Sequence, residues 1–208
     1  DIGLANMQVL FDVKPVVTLF DYINGHKKLQ DVIIETKYPN LSLIAGKSGY
    51  QYATNSSSFI FSRLVQDILD LNFYDILIVD TGAGLNDYVK EFLKVSTNIL
   101  AITSTDPSAL TDVYSLIKML AIDKKSLMLC FNHTKNELVG ETISNSLINL
   151  AKKNRLKSEF VIKYIGSVPS SENITKIARA RKIFVNEFPQ EDAAIKLHNI
   201  VDGVLKNI

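Results

Sequence analysis

Apolar positions along this chain fall into two patterns that alternate. Short unbroken runs, the mark of buried strands, are separated by longer stripes at helical spacing. The runs are Leu41–Gly46, Ile76–Asp80, Asn98–Thr103, Ser126–Phe131 and Phe160–Ile165, the last ending at Gly166. The stripes predict helices over Val17–Ile34 (interrupted at Gly25), Ser56–Leu71, Asn86–Val95, Pro107 to about Ala121, Leu138–Asn154, Asn173–Arg181 and Asp192–Lys206. In the second of these Ile60, Leu64, Ile68 and Leu71 share one face, and a serine among Ser56, Ser57 and Ser58 can cap it. Pro107 suits a first helical turn, where its missing N–H costs nothing. Strands separated by helices of this length predict right-handed βαβ units, a mostly parallel sheet flanked by helices, and an α/β fold. No repeat, low-complexity tract or linker interrupts the pattern, so residues 1–208 read as one domain.

Composition adds limits rather than chemistry. The 208 residues are 47% hydrophobic and 22% charged, an ordinary globular balance, with a formal net charge of +1. The whole surface therefore does not announce nucleic acid as a partner. The single Cys130 sits in an apolar run and excludes an internal disulfide framework; a reducing compartment fits. No apolar run reaches the length of a membrane-spanning helix, and no signal peptide stands at the start.

The chemistry concentrates in Tyr74-Asp75-Ile76-Leu77-Ile78-Val79-Asp80-Thr81-Gly82-Ala83-Gly84. The apolar run is expected to carry Asp80 to the carboxyl end of a buried parallel strand, where open α/β sheets bind ligands. The glycines that follow allow backbone to approach a ligand closely. A tight turn with a capping aspartate is the plainer alternative. The chain also opens on Asp1-Ile2-Gly3-Leu4-Ala5-Asn6, which by itself reads as a loop.

Taken together, these segments resemble the MinD/ParA family of deviant Walker A ATPases, nearly from end to end. Asp1–Asn6, Val9-Leu10-Phe11 and Thr18–Ile23 resemble the stretch after that family's phosphate loop. Asp80–Gly84 resembles its second switch, Thr103–Asp112 the strand-to-helix connection that follows, and Gly166-Ser167-Val168-Pro169 the segment against the adenine. The Asp-Thr-Gly-Ala-Gly and Asp-Pro-Ser-Ala-Leu-Thr-Asp-Val-Tyr forms look nearest the flagellar, FlhG branch (also called YlxH or FleN). The resemblance implies a P-loop NTPase fold of the SIMIBI type, with ATP and Mg²⁺ as cofactors. It assigns Asp1 to orienting the attacking water and Asn6 to a polar switch position. Asp80 would support Mg²⁺ through water, and Gly82 and Gly84 would form the mobile switch near the γ-phosphate. Asn132 would read the adenine edge, with Val168 and Pro169 packed on the base. Implied partners are a second copy of the chain in an ATP-dependent homodimer, an FlhF-type GTPase, flagellar switch proteins and the inner membrane seen from the cytoplasm. DNA is not among them.

Two departures matter. Ser170 and Ser171 stand where the family commonly has acidic residues. No Gly-x-x-x-x-Gly-Lys-[Ser/Thr] occurs, so the chain reads as lacking the family's first strand and phosphate loop, and the 208 residues alone are expected not to hydrolyse ATP. Two other readings stay open: a ParA-type DNA partition ATPase, and a non-catalytic scaffold. His26, His133 and His198 match no metal spacing. The basic residues Lys152–Lys157, and Lys176, Arg179, Arg181 and Lys182, read as solvated helix ends. The stripe Ala193, Ala194, Leu197, Ile200, Val201, Val204 and Leu205 reads as core rather than a membrane anchor.

Overall fold

The computed structural model describes residues 6–46, 59–123, 126–154, 156 and 159–208. The chain divides into two compact units, Asp1–Ser96 and Thr97–Ile208.

In the first unit the elements are α1 (Met7–Leu10), α2 (Leu19–Ile23), α3 (Leu29–Val32), β1 (Ile33–Glu35), β2 (Ser42–Ile44), α4 (Phe59–Asp70) and α5 (Asp87–Val95). Its core gathers Leu19, Phe20, Leu29, Val32, Phe61, Leu64, Ile68 and Phe92. The Phe61 and Phe92 rings lie 4.6 Å apart, joining α4 to α5. Beside that contact the Tyr22 hydroxyl donates to Asp67, which also faces Arg63 at 3.6 Å. Burial, and then the Asp67 carboxylate, push the Tyr22 phenol up to about 12.

The single helix expected over Val17–Ile34 is instead two short helices and a strand. Gly25 takes φ +74 and stops the first helix after Asn24, because an L residue rarely holds that angle. The β-branched pair Ile33 and Ile34 then turns extended and pairs antiparallel with Leu43 and Ile44. Asn40, at φ +60, makes the bend of this hairpin.

Ile76–Asp80 is the larger correction. It pairs with no described strand and its flanks are open: Ile76 is 50%, Leu77 39% and Ile78 83% exposed. Consecutive residues of an extended segment face opposite ways, so both faces are uncovered. The apolar run supplies strand propensity, but a ladder needs a neighbouring strand as well. The expectation that this strand is buried therefore fails for the described residues.

The second unit is βαβαβ with three further helices: β3 (Leu100–Thr103), α6 (Pro107–Asp123), β4 (Ser126–Thr134), α7 (Glu137–Lys153), β5 (Val161–Pro169), α8 (Glu172–Arg179), α9 (Phe184–Glu187) and α10 (Asp192–Leu205). The strands form one parallel sheet in the order β3-β4-β5, the α/β architecture the alternation predicts. Leu127, Leu129, Phe131 and Ile117 are essentially fully buried, so β4 is the axis of the unit. As the edge strand, β3 leaves Ile102 65% exposed.

The helix α7 presents Gly140, Ser144, Leu147 and Ala151 on its buried side, one residue per turn. Asn136 caps it by accepting from the Val139 N–H at 3.1 Å. The expected strand Phe160–Ile165 runs on to Pro169, because Gly166 is not its end but a kink at φ +140. A Cβ at Gly166 would lie 2.8 Å from Ile200 of α10, so this helix requires a bare backbone beneath it. On α10, Ala193, Ala194 and Ile200 are buried as expected, but Val201 and Leu205 are about half exposed, contrary to the core reading of the whole stripe.

Gly140 allows α7 to approach β5. A Cβ there would lie 2.1 Å from Ser167 Oγ, 3.0 Å from Tyr164 Oη and 3.4 Å from Phe131. Gly140→Ala is worth up to ~1 kcal/mol in helix propensity. Overpacking typically costs ~1–3 kcal/mol, and the overlap here is with a buried, short side chain. Packing wins, and we expect a net loss of about 2 kcal/mol, seen as a fall of roughly 4–8 °C in thermal midpoint. Adding Ser167→Ala should recover part of it, since the nearest overlapping atom is then gone. An unchanged midpoint for Gly140→Ala would refute the close approach.

Candidate functional site

In the first unit, the Asp80–Gly84 segment leads directly into α5, which Asn86 caps by accepting from the Val89 N–H at 3.0 Å. Asp80 is exposed. Gly84 holds φ +86 with open space where a Cβ would stand, so the turn requires glycine for its angle and not for room. Asn6 heads α1; its carbonyl accepts from Val9 and Leu10, and its side chain makes no cap. Asp1, assigned to the attacking water, lies outside the described residues.

One carboxylate suits Mg²⁺. That ion keeps several waters and takes only one or two protein carboxylates when phosphates supply the remaining oxygens. Among the described residues, no group of three or more His, Cys, Asp or Glu is gathered for a metal. The donor chemistry at Asp80 fits a cation that arrives with its phosphates.

In the second unit, Asn132, Val168 and Pro169 come together at the carboxyl ends of β4 and β5, where parallel sheets bind ligands. The register there is irregular. Leu129 pairs with Tyr164 but Cys130 with Gly166, an extra residue in β5; Phe131 pairs with Ser167 but Thr134 with Pro169, an extra residue in β4. The second bulge sets Asn132 and His133 opposite Val168 alone. His133 takes φ +56, unusual for a residue other than glycine. Asn132 Oδ1 accepts from the His133 N–H at 2.9 Å, which fixes the amide and leaves its NH₂ to donate elsewhere. Buried Thr134 donates its hydroxyl to the Val168 carbonyl at 3.3 Å. Thr134 carried no signal in the sequence, since a threonine closing an apolar strand is ordinary.

A cavity of about 300 Å³ opens beside these strand ends, lined among others by Thr134, Lys135, Glu137, Ser167, Pro169 and Lys196. Lys196 pairs with Glu137 across it, and that bond raises the lysine above its ordinary range. Of the residues that the resemblance assigns to the base, Pro169 lines this space.

The structure gives Ser171 a role unrelated to a ligand. It caps α8 by accepting from the Asn173 N–H at 3.2 Å and donates to Glu191, which Asn173 Nδ2 also reaches at 2.9 Å. These two donors hold Glu191 below the usual carboxylate range. Ser170 instead faces His133, with Oγ 3.5 Å from Nδ1.

No family model matches the chain. The chain is 33% identical over 192 residues to the flagellum site-determining protein YlxH of Helicobacter pylori, covering 92% of this chain and 64% of that one. It is 28% identical over 208 residues to the antiactivator FleN of Pseudomonas aeruginosa, covering 98% of this chain and 72% of that one. It thus spans about two thirds of the length of these relatives. Among solved structures, the cell division ATPase MinD of Pyrococcus furiosus matches 100% of this chain and 84% of its own, at TM-score 0.82 and 17% identity. The septum site-determining protein MinD of Pyrococcus horikoshii, solved with Mg-ADP, matches 98% of this chain and 80% of its own, at TM-score 0.78 and 17% identity.

Proposed function

We propose that this chain, with its FlhG-like relatives and MinD-like P-loop NTPase fold, is a MinD/ParA-family protein and belongs to an ATP-driven regulator of where, and how many, flagella a cell builds. The observation that carries this reading is the 33% identity to a flagellum site-determining protein across 92% of the chain. In it, Asp80 supports Mg²⁺ through water, and Gly82 and Gly84 respond to the γ-phosphate. Asn132, Val168 and Pro169 hold the adenine, Asp1 orients the attacking water, and Asn6 moves with the first switch. Residues 1–208 belong to one MinD-like ATPase domain.

The phosphates need an anion nest, which parallel sheets build from a glycine-rich loop between strand and helix. No Lys-Gly-Gly-x-Gly-Lys-Thr loop occurs among these 208 residues. With ATP bound, two copies close face to face. Hydrolysis removes the triphosphate contacts that favour the dimer, and the pair resets. Such a molecule marks a position for a limited time. Its partners are then an FlhF-type GTPase, flagellar switch proteins and the cytoplasmic face of the inner membrane. No helix among the described residues is long and apolar enough to cross a membrane, so contact with lipid would be peripheral.

Deleting the gene in its own host tests this role. Flagella counted by electron microscopy are expected to change in number or position in most cells, and re-expression is expected to restore them. A distribution matching the parent strain would overturn the flagellar assignment.

A further inference from the structure

We propose that Thr134 is a positioning residue for purine selectivity, an inference that rests on the adenine site just assigned. It follows from the bulge. Two residues of β4, Asn132 and His133, stand opposite the single Val168. Side chains along a strand alternate between faces, so a bulge that relaxed into regular pairing would turn Asn132 to the other face. The bulge is not intrinsically favoured, because His133 must hold φ +56. A non-glycine residue keeps that angle only when its surroundings impose it.

Three contacts hold this bulge: Asn132 Oδ1 on the His133 N–H at 2.9 Å, Ser170 near the His133 ring at 3.5 Å, and the Thr134 hydroxyl on the Val168 carbonyl at 3.3 Å. The first stays within β4 and cannot fix β4 against β5. The second is long and exposed. The Thr134 bond is buried, joins the two strands directly, and ends on the residue that faces the bulge. Thr134 thus sets how Asn132 stands relative to Val168 and Pro169, without touching the base. The phosphates contribute most of a nucleotide's affinity and are common to ATP and GTP. Loss of this bond should therefore change the choice between purines more than total affinity.

The test uses the intact protein, with ATP and GTP competing separately against a fluorescent adenine nucleotide. Thr134→Val keeps the shape and removes the hydroxyl; Thr134→Ser keeps the hydroxyl. Thermal midpoints of all three proteins serve as the folding control. Losing one such bond is expected to shrink the ATP-over-GTP affinity ratio about five- to tenfold in Thr134→Val, while Thr134→Ser stays within twofold of wild type. If wild type prefers ATP and Thr134→Val keeps the full ratio, the positioning role is wrong and the adenine site stands. If both affinities fall equally, the residue is merely structural and the proposal fails. If wild type binds ATP no better than GTP, the adenine assignment itself fails, and this inference with it.

Discussion

Asp80→Asn in the intact protein is expected to lower ATP turnover about a hundredfold. Asparagine keeps the size and one acceptor oxygen but removes the charge. Water bound to Mg²⁺ is polarised and donates best to an anionic acceptor, so the loss falls on the cation and on the transition state it stabilises. Removing one preorganised electrostatic partner of a phosphoryl- or acyl-transfer centre typically costs ~10²–10³ in rate, and a hundredfold is about 2.7 kcal/mol of barrier. The half-saturating Mg²⁺ concentration should rise in parallel. Turnover within twofold of wild type would remove Asp80 from the cation's surroundings and return the segment to its plainer reading, a turn ahead of α5.

Much of the second unit was legible because each local signal agreed with the packing. Pro107 does open α6, and the run at Ser126 is the buried strand β4. The helix expected over Leu138–Asn154 is α7, but the small Gly140 on its buried side carried no explanation in the sequence. The reason lies in Ser167, 27 residues further on, against which a Cβ would collide. Such close approaches are properties of pairs, and a single sequence gives only one member at a time.

The misreadings have the same origin. Gly25 was visible as an interruption, but whether a glycine is tolerated in a helix or ends it depends on the backbone angle; here +74 ends it. Ile33 and Ile34 fit a helical stripe equally well until a partner strand at Leu43 and Ile44 takes them. Ile76–Asp80 has the composition of a central strand and no described neighbour to make it one. Val201 and Leu205 keep the spacing of the buried residues of α10 yet are about half exposed. Asn132, Val168 and Pro169, which the family resemblance singles out, lie at adjoining strand ends. The two bulges that set their relative orientation were not legible. A bulge is a mismatch between two strands and leaves no mark in either one alone.

The central claim is that Asp80 supports the cation, and Asn132, Val168 and Pro169 contact the base, in an ATP-binding protein whose phosphate loop is not among these 208 residues. Each donor aimed at developing charge contributes ~10²–10³ in rate, and the phosphate loop supplies several donors together with its lysines. Its loss should therefore put turnover below detection rather than merely slow it. The direct measurement is phosphate release from MgATP by segment 1–208 and by the intact protein, side by side. The account predicts release from the intact protein that depends on Mg²⁺, and none above background from the segment. Equal release from both, or none from either, would contradict it.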